Sequence, residues 1–86
     1  MINITDNPPD FINEDGVKWW KHNLLTQYAN QKDIKNSIGY IVETNTGFRN
    51  FVLINQTGIV AESTTVEGIG TQIDMISFLI SHKEKN

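Results

Sequence analysis

Apolar residues change their period along the chain near Ser37. Before that point, in "NEDGVKWWKHNLLTQYANQ", Val17, Trp20, Leu24 and Tyr28 recur at spacings of 3, 4 and 4. Such spacing gathers them on one stripe, with Leu25 at its edge, and predicts an amphipathic helix within residues 13–31. Asn13 or Asp15 can cap its first amides, and Glu14 and Asp15 suit the positive end of its dipole. Trp19 falls outside the stripe, because successive helical residues turn by about 100°. It either packs on the N-terminal arm or offers an aromatic ring to an interface. Residues 1–12 read as an extended arm, in which Pro8 and Pro9 prevent regular pairing and restrict Asn7.

After Ser37 the period is that of strands. "SIGYIVET" sets Ile38, Tyr40 and Val42 against Gly39, Ile41 and Glu43. "NTG" is a hairpin connection with Gly47 at the left-handed position, "FRNFVLIN" is the second strand, and "QTG" turns the chain into a third strand, "IVAESTTV". A three-stranded meander follows. Its middle strand is apolar on both sides through Phe51, Val52, Leu53 and Ile54. A strand with one wet face should alternate, so this sheet is expected to be strongly bent, closed or stacked on a neighbour.

The last segment, "EGIGTQIDMISFLISHKEKN", supports two readings. As a helix it places Ile69, Ile73, Ile76 and Ile80 on one stripe, with Thr71 and Asp74 resembling a capping box. As strands it alternates Ile76, Phe78 and Ile80 with Ser77, Leu79 and Ser81. Its richness in Ile, Thr, Phe and Ser leans toward strands at about 71–74 and 76–81, followed by a polar tail at 82–86. "GIGTQ" is then a turn. The deciding feature is whether Ile76, Phe78 and Ile80 share a side, or Ile73, Ile76 and Ile80 do.

With 86 residues the chain is expected to form a single domain, and with no cysteine it has neither disulfide nor thiolate metal site. A domain this small gains from extra burial, a first hint of self-association. Seven basic against ten acidic residues give a net charge of -3, which disfavours non-specific nucleic-acid binding. No apolar run is long enough for a transmembrane helix and "MINITDNPPDF" lacks the pattern of a signal peptide, so a cytoplasmic setting without membrane contact is expected.

One helix followed by five short strands resembles the Sm/LSm family of small β-barrels, and in particular its Hfq-like branch. "YIVETNTGFRNFVLINQTG" is similar to the first Sm motif, and "TVEGIGTQIDMISFLIS", with Ile76-Ser77 opening the final strand, to the end of an Hfq-like chain. The resemblance spans about Gly16 to Ser81. It implies a mainly β fold, an N-terminal helix on a five-stranded bent antiparallel barrel over 37–81, and a homo-oligomeric ring that binds single-stranded RNA. The RNA contacts it implies are Tyr40 and Phe48 for stacking, Arg49 and Asn50 at the hairpin exit, Asn55, Gln56 and Thr57 in the polar turn, and Gln72 and Asp74 at the second Sm-like position. The chain departs from the family at three places. Asn55-Gln56-Thr57-Gly58 stands where the family carries an Asp, the Arg-Gly pair is absent, and "TQID" replaces the Tyr-Lys-His tract.

Catalytic chemistry has no positive signal, and no enzyme, cofactor or metal is expected. His22 and His82 lack ligand spacing and read as surface residues. Glu43 and Glu62, the acids inside the predicted strands, mark a wet face. "GIG" lacks the third glycine of a dinucleotide loop. The alternative fold is α+β, in the order αβββα, with residues 71–84 helical. Its function would be protein contact, as an acidic inhibitor or accessory factor of phage or mobile-element type, with Trp19 at the interface.

Overall fold

The computed structural model describes residues 4–84. A 3-10 turn at Ile4–Asp6 leads to β1 (Phe11–Ile12) and β2 (Lys18–Lys21), then α1 (Asn23–Gln31), β3 (Ile38–Glu43), β4 (Arg49–Asn55), β5 (Gly58–Ser63) and α2 (Val66–Glu84). The strands form one antiparallel sheet in the order β1-β2-β3-β4-β5, so the protein is an α+β domain on a five-stranded meander. The segment from Asn23 to Glu84 has the order αβββα, with two strands added in front. The ladder ends at β1 on one side and β5 on the other.

The meander of β3, β4 and β5 stands as the alternation predicts, with Gly47 at φ 85° and Gly58 at φ 115° in its two turns. The helix expected over 13–31 is corrected: only Asn23–Gln31 is helical, and Lys18–Lys21 is a strand. Asn13 accepts hydrogen bonds from the Asp15 and Val17 amides at 3.0 Å each, and so organises the β1–β2 hairpin rather than a helix start. Gly16 completes that turn at φ 79°. The cap of α1 is His22, whose Nδ1 accepts from the Leu25 amide at 3.1 Å. Leu24, the third member of the expected stripe, is 72% exposed, while Leu25 and Ala29 face the core. The N-terminal arm is likewise corrected in part: Phe11–Ile12 pairs with β2, and residues 1–3 lie outside the described residues.

The strands expected at 71–74 and 76–81, the turn at Gly68–Gln72 and the polar tail from His82 are corrected too. All lie in α2, and residues 85–86 of the tail fall outside the described residues. The barrel expected over 37–81 therefore lacks its last two strands; the sheet reaches five through β1 and β2. Tertiary burial overrides the strand propensity of Ile and Phe here. Ile69 and Ile73 are fully buried, and Ile76 and Ile80 pack against the same core, the spacing of one helical stripe. Thr65 caps α2, its Oγ1 accepting from the Gly68 amide at 2.9 Å; Thr71, inside the helix, donates to the Glu67 carbonyl.

Both helices lie on one face of the sheet, α1 against β3 and α2 against β5. Leu25, Ala29, Ile34, Leu53, Ala61, Ile69 and Ile73 form the core between them. Register assigns Phe51 and Leu53 to this helical face and Val52 and Ile54 to the other. On that other face Phe11, Trp19, Val42 and Asn50 form one row across the strands, and Lys21, Tyr40, Val52 and Glu62 the next. Val42 and Val52 are buried there beneath larger neighbours. The doubly apolar strand is thus explained by helices on one side and an aromatic-flanked layer on the other.

Candidate functional site

The apolar stripe on the core side of α2 leaves a second one on its outer side. Met75, Phe78 and Leu79 follow the i, i+3, i+4 spacing of one helical face and are 62%, 61% and 59% exposed. His82 continues that face at i+7, its ring stacked on Phe78 with centroids 4.9 Å apart. Ile69, Ile73, Ile76 and Ile80 occupy the opposite side of the same cylinder. Exposed apolar residues that adjoin one another mark a contact surface, whereas single ones need no explanation.

A cavity of about 420 Å³ opens between the N-terminal halves of the two helices. His22, Leu24, Leu25 and Tyr28 line it from the α1 side, Val66, Ile69 and Gly70 from α2, and Phe51 from the sheet. Beyond it the helices are tied together: the Tyr28 hydroxyl donates to Asp74, and Lys32 stands 3.7 Å from the same carboxylate. The hydrogen bond to Asp74 holds the Tyr28 phenol above its ordinary pKa, with partial desolvation and the Asp74 charge adding to the shift.

The open sheet face carries three interlocked rings. Phe11 and Trp19 stack at 5.3 Å, and Tyr40 meets both edge-on at 5.8 and 5.3 Å. Trp19 therefore packs on the N-terminal segment. Trp19 Nε1 and Asn50 Oδ1, in the same cross-strand row, are buried without a hydrogen-bond partner among the described residues.

The residues singled out for RNA contact divide between these surfaces and the turns. Tyr40 and Asn50 share the open face, and Phe48 is exposed at the β3–β4 hairpin. Arg49 pairs with Glu43 at 2.6 Å, so its charge is engaged within the sheet. Asn55 accepts from the Thr57 amide at 2.9 Å, closing the β4–β5 turn, with Gln56 exposed at its tip. Gln72 grips the backbone of Glu62: its Oε1 accepts from the amide at 3.2 Å and its Nε2 donates to the carbonyl at 2.7 Å. Asp74 is held by Tyr28 and Lys32. Gln72 and Asp74 are thus separated from the hairpin residues by their place on α2.

Sequence reasoning missed the outer stripe of α2, although the 75-78-79-82 spacing was legible once the segment is read as helical. It also missed His22 as a cap. Among the described residues no group of three or more His, Cys, Asp or Glu is arranged to hold a metal, and no helix is long and apolar enough to cross a membrane. No protein family, curated protein or solved structure matches the chain.

Proposed function

We propose that this chain is a small non-catalytic protein-binding domain that docks on its partner through the outer face of α2. The observation that carries this reading is the exposed stripe of Met75, Phe78 and Leu79, opposite the stripe that packs on the sheet. Large apolar side chains clustered on a rigid helix make the central anchors of protein interfaces. The net charge of -3 suits a basic partner. An inhibitor or accessory factor of phage or mobile-element type fits this combination of small size, acidity and apolar contact. Co-purification tests it. Wild type is expected to retain a partner that Phe78→Asp loses, while thermal stability changes by less than about 0.5 kcal/mol, as for an exposed site. Retention of the same proteins by both forms contradicts it.

A second reading is an Sm-like ring in the cytoplasm that binds single-stranded RNA. It is supported by Tyr40, Trp19 and Phe11 sharing a face with Asn50, since stacking rings beside hydrogen-bonding amides suit single strands. In this reading copies assemble into a ring around a pore. Light scattering combined with oligo-A and oligo-U titration separates the two readings. A ring-sized mass that binds either oligonucleotide supports the second; a monomer indifferent to both removes it.

A further inference from the structure

An antiparallel sheet with one solvated face carries polar side chains on that face. The face turned away from the helices departs from this rule. Register places Ile38, Tyr40 and Val42 of β3, Val52 and Ile54 of β4, and Ile59 of β5 on it. Val42 and Val52 are buried beneath their neighbours, but Ile38 and Ile59 are exposed, and Tyr40 and Ile54 are half-buried. Phe11 adds an exposed ring at the margin. Adjoining apolar residues of this kind mark a contact surface. Both helices pack on the other side of the sheet, so among the described residues no element covers this face.

The charges on the same face select its occupant. One cross-strand row reads Lys21, Tyr40, Val52, Glu62 from β2 to β5. It is apolar in the middle, basic at one end and acidic at the other. Both end residues are exposed, and neither belongs to an ion pair among the described residues. Asp10, an acid beside Lys21, is engaged by the Lys21 amide at 2.6 Å. The midline of the row falls between β3 and β4, so Lys21 and Glu62 start from strands about 7 Å to either side of it. A two-fold axis along that midline, parallel to the strands, exchanges β2 with β5 and β3 with β4. Lys21 of one copy then meets Glu62 of the other at both ends of the row, and Tyr40 meets Val52 at its centre. Ile38 and Ile54 exchange in the same way in the next row of this face. An axis along the row would instead set Lys21 against Lys21. A two-fold interface must be complementary to itself, and the first arrangement is. It also keeps the strands of the two sheets nearly aligned, a common form of sheet packing.

We propose that the chain forms a two-fold homodimer by packing these sheet faces together, with Lys21–Glu62 pairs at both ends of the shared row. The interface lies on the opposite side of the sheet from α2, so it goes beyond partner docking and does not depend on it.

Sedimentation equilibrium of the full chain tests this, with circular dichroism to confirm that each variant folds. Wild type is expected to be dimeric at about 100 μM. Lys21→Glu and Glu62→Lys, both at exposed positions, should each weaken the dimer by about tenfold or more, because each sets like charges together at both ends. The double exchange restores opposite charges and should recover the wild-type dissociation constant within about threefold. Ile59→Asp should give a monomer, whereas Phe78→Asp, on the outer face of α2, should leave the dimer intact. The proposal is overturned by a wild type that is monomeric at about 100 μM, by a ring-sized mass, by a double exchange that associates no better than the single variants, or by a dimer that survives Ile59→Asp.

Discussion

Gln72 spans from α2 to the free edge of β5 and satisfies both backbone groups of Glu62 with one carboxamide. Those two groups are the ones an added strand would use, so the side chain blocks edge-to-edge pairing as well as fixing the helix to the sheet. Gln72→Ala should cost about 1 kcal/mol of stability and speed hydrogen exchange at the Glu62 amide. An unchanged exchange rate would show that the edge is protected otherwise. Tyr28 offers a second residue-scale test. Its phenol is held neutral mainly by the hydrogen bond to Asp74, so its pKa is raised in the folded state. A raised pKa means that this contribution to stability is complete below the ordinary tyrosine value and is lost as pH rises through the folded one. An ultraviolet titration of wild type should show a late-ionising phenolate that Tyr28→Phe removes. Of the residues in the predicted site, those in turns and pairs were readable as types but not as roles. Asn55 looked like a binding group because a turn-forming amide and a ligand-binding amide are the same chemistry, and Arg49 because the sequence does not show that its guanidinium is paired with Glu43.

At the scale of elements, α2 shows why local preference misleads. Ile73, Ile76 and Ile80 favour strands in isolation, yet the cap at Thr65 and the buried stripe from Ile69 onward fix a helix. The reverse happened at Lys18–Lys21. Val17 and Trp20 happened to match a helical spacing with Leu24 and Tyr28, but Trp20 is buried in a strand and donates its Nε1–H to the Asn7 carbonyl at 2.8 Å. Asn13 signalled a chain reversal in either case, and only long-range pairing of β2 with β3 decides between cap and hairpin. The β3–β5 meander was legible because its turns are short and carry glycine where φ is positive. Two substitutions probe the elements with opposite signs. Gly70→Ala should stabilise the fold by about 1 kcal/mol through helix propensity. Gly39→Ala should destabilise it by about 2 kcal/mol, because the new methyl pushes on Leu25 and with it α1. Chemical denaturation of both variants checks this, and a stabilised Gly39→Ala would contradict the close approach of α1 to β3.

The whole molecule distributes apolar surface to more than one side. One sheet face takes both helices, the other carries the Phe11–Trp19–Tyr40 cluster, and α2 adds an outer stripe that the described residues leave exposed. This arrangement answers why Phe51 to Ile54 are apolar throughout, where the sequence pattern pointed instead to a bent or closed sheet or one stacked on a neighbour. How they are covered depends on contacts distant in sequence, such as Tyr28 of α1 with Asp74 of α2, 46 positions apart, which no local pattern encodes. The central claim is that the outer face of α2 meets a partner protein. Site-specific photo-crosslinking tests it most directly, with a benzophenone side chain at Phe78 and, as control, at the exposed tip residue Gln56. Expressed in its native cells, the chain is predicted to give a discrete crosslinked adduct from position 78 and none from position 56. No adduct from 78, or the same adducts from both, would contradict the assignment of this face to a partner.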